Sequence, residues 1–112
     1  MKAPTLNRRF TLEAANTAPD GSGGFIETWE TLGAVWGELK GTGGRDVDLD
    51  ARAASQGRFR ITVRAAPLGA LERPLPGQRL REGGRVFPVI AVVDSDPEGR
   101  WLSCIVREEL LR

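Results

Sequence analysis

The chain has 112 residues, a formal net charge of +1 and 28% charged side chains. That balance suits one domain with one modest core and argues against a DNA-coating protein, which carries a strong basic excess. No run of 18 apolar residues occurs, so no membrane-spanning helix is expected, and the charged start Met1-Lys2-Ala3-Pro4 leads into no apolar stretch of a secretory signal.

Glycine (14 residues) and proline (7) fall in clusters between apolar runs, the pattern of short strands joined by turns. Phe10-Thr11-Leu12-Glu13 alternates apolar and polar side chains, as a half-buried strand does. Residues 16–24, with Pro19, Asp20 and three glycines, form a dense turn signal. Residues 25–31 and 33–39 read as two further strands, rich in β-branched and aromatic residues. Gly37 in the second of them permits a bulge or a close backbone approach.

Residues 40–57 differ. The run Lys40-Gly41-Thr42-Gly43-Gly44-Arg45 lacks apolar side chains, and Asp46-Val47-Asp48-Leu49-Asp50-Ala51-Arg52 has no clear element. A segment this long without structure of its own is usually functional or disordered, and it predicts one long projecting loop.

Residues 58–64 form the cleanest strand. Phe59, Ile61 and Val63 share one face, and Arg58, Arg60, Thr62 and Arg64 the other, a face that is solvated or meets a neighbour. Residues 67–77 hold three prolines and two glycines and read as loop. A short strand over 78–82 and the turn Gly83-Gly84 lead into 85–93. That run is apolar nearly throughout, which predicts cover on both faces, with Pro88 at an edge or bulge. After a turn at 94–99, residues 100–107 pair back as a hairpin, Leu102, Cys104 and Val106 on one face. Two of the three tryptophans, Trp29, Trp36 and Trp101, are expected in the core and one at a subunit contact. The sum is an all-β chain, a single domain over 1–112, folded as a small β-barrel or sandwich of six or seven antiparallel strands.

Catalytic chemistry finds little to stand on. With no histidine, the commonest general base and metal ligand are missing, and one cysteine excludes a thiolate zinc cluster. Cys104 has no intrachain partner, in keeping with a reducing cytosol, and reads as a small buried apolar residue. Asp46, Asp48 and Asp50 alternate like calcium ligands, but the EF-hand glycine and glutamate positions are held by Ala51 and Gly57. The glycines at 41, 43 and 44 lack the Lys-Ser/Thr of a phosphate-binding loop. No catalytic residue, metal or cofactor is expected. Of 16 basic residues, only Lys2 and Lys40 are not arginine. Arginine suits bidentate protein contacts, and a GC-rich genome explains the bias equally well.

Gly24-Phe25-Ile26-Glu27-Thr28-Trp29, then Val35-Trp36-Gly37-Glu38-Leu39, then Gly44-Arg45-Asp46 resemble the head–tail joining (adaptor, stopper or head-closure) proteins of tailed phages and gene transfer agents. The arginine-flanked strand 58–64, Gly83-Gly84-Arg85-Val86-Phe87-Pro88-Val89 and the cysteine strand Leu102-Ser103-Cys104-Ile105-Val106 continue the likeness, which covers about residues 6–108. Gly37 and Asp46 depart from the family's Ala and Glu, and the proline-rich loop is extended. The resemblance implies a structural protein and no enzyme. It implies a homo-oligomeric ring of six-fold related symmetry at the head–tail junction, assembled in the bacterial cytoplasm. Its neighbours would be a portal-bound adaptor and a tail terminator or tail tube protein, and packaged DNA would pass without sequence-specific recognition or any membrane contact. On that footing Gly41, Gly43, Gly44, Arg45, Asp46, Val47, Asp48, Leu49, Asp50 and Arg52 are the candidate interaction loop. Val47-Asp48-Leu49 could add a strand to a neighbour's sheet edge. In a channel, the three aspartates would repel phosphates while Arg45 and Arg52 attract them. The alternatives are a tail-completion (terminator-like) virion protein or a nucleic-acid-binding β-barrel module. Against the second stand the near-neutral charge and the lack of a recognisable aromatic platform.

Overall fold

The computed structural model describes residues 3–41 and 57–109. Six antiparallel strands make the fold: β1 Arg8–Pro19, β2 Phe25–Gly41, β3 Arg58–Arg64, β4 Arg79–Glu82, β5 Arg85–Asp94 and β6 Trp101–Arg107. They close as a barrel in the order β1-β2-β3-β6-β5-β4, with β4 returning to β1.

Period-two alternation fills the interior. Phe10 and Leu12 from β1, Ile61 and Val63 from β3, Leu80 from β4, Phe87 and Val89 from β5, and Leu102, Cys104 and Val106 from β6 are all buried in one cluster. The Phe87 ring meets Phe10 and Phe59 edge-on, at centroid distances of 6.1 and 5.9 Å. Gly37 faces this core, where a Cβ would lie 3.0 Å from the Thr62 carbonyl oxygen and 3.2 Å from the Phe10 ring. The close approach read from its glycine is therefore real, and the bulge lies elsewhere, at Leu32 between Thr31 and Gly33. There Leu12 faces Gly33 while Glu13 faces Thr31. Gly33 takes φ +153°, which L side chains rarely adopt. The extra residue lets Leu32 and Val35, three apart, both pack on the core.

Several sequence expectations change. The segments 25–31 and 33–39 are one strand of 17 residues, because the bulge absorbs Leu32 beside Gly33 without ending the ladder. Residues 16–19 belong to β1 rather than to a turn: the turn is only residues 20–24. The outer face of β5 is not fully covered, with Ile90 and Val93 exposed. Its register slips between Val89 and Ala91, next to Pro88, as expected of a residue that cannot donate to a ladder. No tryptophan is in the core. Trp36 is 54% exposed and Trp29 and Trp101 are half-buried, because each sits at an outward position of its strand.

Both rims are tied. At the rim holding the ends of β2, β4 and β6, Arg8 pairs with Glu82, and Arg85 donates to both Glu108 carboxylate oxygens at 2.8 and 2.9 Å. Arg85 also lies over the Phe59 and Phe87 rings. These hydrogen bonds lower the Glu82 and Glu108 pKa and raise those of Arg8 and Arg85. At the opposite rim, the β5–β6 turn is built on Asp96. Its carboxylate accepts from the Arg100 backbone N–H at 2.8 Å, from Arg100 Nε at 2.9 Å and from the Glu98 N–H at 3.3 Å. The Arg100 guanidinium chiefly, and these backbone donors, hold the Asp96 pKa down from 3.8 to about 2.

Phe87→Ala should cost about 3–5 kcal/mol of stability, since it empties the centre of the cluster; chemical denaturation with an unchanged m-value measures it. Asp96→Asn should lower the unfolding midpoint at neutral pH. The carboxylate is more acidic folded than unfolded, so its contribution is present above about pH 4 and is lost as the pH falls toward about 2. Thermal melts of the two proteins should therefore converge over that acid range and stay apart above it.

Candidate interaction surface

A strand of 17 residues cannot be spent on a barrel whose β3 has seven. β2 pairs β3 only over Gly37–Gly41, and β1 pairs β4 only over Thr11, Leu12 and Glu13. Beyond those points the two strands pair only with each other, as far as Pro19 opposite Phe25. The result is a two-stranded arm, residues 14–31, that leaves the barrel by roughly 20 Å at about 3.3 Å per residue. Among the described residues nothing pairs with its outer edges, and nearly all its side chains are exposed.

An isolated hairpin of two strands is marginal in water. Two devices stiffen this one. At the tip, the Asp20 carboxylate accepts from the Ser22 and Gly24 N–H groups at 2.7 and 3.0 Å, which lowers its pKa, and Gly21 and Gly23 take positive φ. At the base, Glu13 is buried between Arg79 and Arg81, with Arg79 Nε 2.6 Å and Arg81 Nη2 3.4 Å from its oxygens. The Arg79 guanidinium also stacks 4.0 Å over the Trp29 ring. One arginine of β4 thus grips both strands of the arm.

The arm is acidic and its tip apolar. From Phe10 to Leu39 the sequence has Glu13, Asp20, Glu27, Glu30 and Glu38 and no lysine or arginine. Phe25 and Ile26, the first residues after the turn, are 75% and 53% exposed and point to opposite faces. The barrel wall is the reverse in charge. Arg60 and Arg64 of β3, Arg107 of β6 and Lys40 of β2 are exposed on its outside, Lys40 opposite Arg60 in the ladder. Beside this wall runs a groove of about 520 Å³, between the outer face of β2 at Ala34 and Trp36 and the segment Arg64-Ala65-Ala66-Pro67.

Of the sequence-derived loop, Gly41 ends β2 and pairs with Phe59. Gly43, Gly44, Arg45, Asp46, Val47, Asp48, Leu49, Asp50 and Arg52 lie outside the described residues. Gly57, φ +77°, accepts through its carbonyl from the Glu108 N–H, so the described residues on either side of 42–56, Gly41 and Gly57, are both tied to one rim. The arm, which sequence reading missed, leaves from the other end of β2. Its signal was the run of thirty residues without a basic side chain and the apolar pair directly after a glycine turn.

Two groups with nucleophilic chemistry are tied up. Cys104 is buried at the barrel centre, where desolvation pushes its thiol up to about 12. The Ser103 hydroxyl donates to the Ser95 hydroxyl at 2.8 Å. Among the described residues no three histidine, cysteine, aspartate or glutamate side chains gather as a metal site.

The fold has a relative in a known particle. The model of the phage head completion proteins matches residues 1–109. The chain belongs to that family. A chain in the virion of a native gene transfer agent particle is 41% identical, with a TM-score of 0.75 over 98% of this chain and 100% of that one. The solution structure of a Shigella flexneri 2a protein, 21% identical, shares the fold at a TM-score of 0.70 with full coverage of both chains. No curated protein matches. Membership gives this head completion protein a structural role in a phage or phage-like particle, as the motifs from Gly24 to Val106 implied.

Arg79→Ala should free the arm and weaken the β1–β4 seam, leaving buried Glu13 with Arg81 alone, at a cost of about 3–5 kcal/mol. Hydrogen exchange should then quicken on the order of tenfold or more for amides of residues 15–18 and 26–30, and stay unchanged for β3 and β6.

Proposed function

We propose that this head completion protein is a stopper-type subunit of a ring seated at the head–tail junction, between a portal-bound adaptor and the tail, with packaged DNA passing through the ring's centre. The observation that carries this reading is the filled barrel. Phe10, Phe87 and Leu80 occupy its axis with no exposure at all, as six strands enclose less than the eight that side chains just fill. A duplex cannot thread one copy, so a channel has to be built between copies. Closed cyclic symmetry does that with identical chains. The family match and the virion relative support a place in the particle rather than free in the cell.

Residues 42–56 are the second part of the proposal. They leave and re-enter the barrel at the paired ends of β2 and β3, the rim held by the Arg8–Glu82 and Arg85–Glu108 pairs. A segment anchored at so rigid a rim is suited to reach a neighbouring ring or the channel.

Particles produced without this protein should be DNA-filled or leaking heads lacking tails, together with free tails, by negative-stain electron microscopy. Complementation by a gene lacking residues 42–54 should supply a folded protein, with the wild-type circular dichroism, that fails to restore joined particles. Normal tailed particles in the absence of the gene would remove the junction role, and joined particles with the shortened gene would remove the loop's.

A further inference from the structure

The acidic arm and the basic, grooved wall lie on one molecule but cannot meet within it. Phe25 and Ile26 stand eight to eleven residues along β2 from Ala34 and Trp36 in the groove. On one extended strand that separates them by about 30 Å. A tip and a pocket that fit each other and sit on different faces describe a head-to-tail contact between copies.

We propose that the β1–β2 arm of one copy docks on the next copy of this same chain. The Phe25–Ile26 tip wedges into the groove between Ala34–Trp36 and Ala65–Pro67, and the arm's carboxylates lie along Arg60 and Arg64. The proposal rests on the ring reading and names the contact that builds the ring.

Three features select a second copy as the occupant. Charge is the first: Glu27 and Glu30 are exposed on an arm without a basic residue, and the groove's edge on β3 carries Arg64, with Arg60 four residues back on the same strand face; Glu72 of the 67–77 segment is the acid in the lining. Complementary fields of this kind choose the partner and its register. Shape is the second. Phe25 and Ile26 project from opposite faces of a ribbon two strands thick, so a tip entering a two-walled groove buries both at once. The exposed Trp36 supplies the aromatic surface that recurs at the centres of interfaces. Edge management is the third. Among the described residues both outer edges of the arm lie open, and charges of one sign guard them against like surfaces but not against a basic one. A neighbour's wall covers them. The contact is directional, so each copy offers one arm and one groove, and the chain of contacts closes only when the last arm finds the first groove.

An arm of this size makes a contact near the low end of stable interfaces, so the test uses assembled particles. The gene is replaced by one carrying Ile26→Cys and Ala34→Cys, both exposed positions, and purified particles are treated with a short bismaleimide. Cys104 does not compete, being fully buried. The expected result is a ladder of covalent multimers of this chain alone, with cross-linked peptides joining residues 26 and 34, and no ladder from either single variant. Charge reversal is the second arm. Glu27→Arg and Arg64→Glu should each lower the yield of joined particles tenfold or more, and the double variant should restore most of it. Particles whose junction holds a ring of this protein, yet which give only monomers or cross-links to a different virion protein, overturn the arm contact and leave the ring reading standing. Particles whose junction lacks the protein overturn both. A double variant no better than the singles, while its circular dichroism and melting match wild type, also overturns the pairing.

Discussion

The barrel closes because β1, paired with β2 along its whole length, also takes β4 on its other side as far as Glu13. For three residues, Thr11 to Glu13, β1 is held by β2 on one side and β4 on the other, and this short seam is the closure. A ladder of three pairs is thin, and the side chains reinforce it. Glu13 is buried, takes Arg79 and Arg81 from the strand opposite, and so turns what would be a costly desolvated charge into the clamp of the seam. The same arginine covers Trp29 on β2. Closing the barrel and aiming the arm are therefore one interaction. Were β4 one residue out of register, Leu80 would leave the core and Arg79 would leave the arm together.

Much of this was legible in the sequence because the barrel is small. With few strands, each must place a continuous apolar face inward, and β3 and β6 could be read residue by residue from Phe59, Ile61, Val63 and Leu102, Cys104, Val106. The motif order pointed to the family for the same reason: the motifs are the strand cores and their turns. What could not be read was where a strand stops serving the barrel. The alternation in residues 25–31 looks the same whether its apolar members face a core or water, and a glycine such as Gly33 reads as a break when it is a bulge that keeps one strand continuous. The tryptophans misled for a related reason. A side chain that large does not fit an interior already filled by Phe10 and Phe87, so the barrel puts it outside, where arginines cover Trp29 and Trp101.

Among the described residues, the groups that carry chemistry are tied into the fold. Its sulfur is buried with a thiol pKa pushed up to about 12, its carboxylates near the rims are bound by arginines, and its centre is hydrocarbon. What remains on the outside is an arm at one end of β2 and a wall of arginines on the barrel. That division suits a part that must fit between two larger assemblies.

The placement of charge gives the division its direction. The chain is nearly neutral as a whole, which by itself says nothing about partners, but the neutrality is a sum of an acidic stretch from Phe10 to Leu39 and a basic remainder. Separated charge of this kind is repulsive when like surfaces meet and attractive when an arm meets a wall, so symmetric pairing of two copies face to face is disfavoured relative to the head-to-tail arrangement. Isologous pairing would end assembly at two copies. In the proposed heterologous contact, assembly would run forward until it closed, and the angle between arm and barrel, set at the Glu13–Arg79 contact, would decide whether it closed as a ring or ran on as a filament.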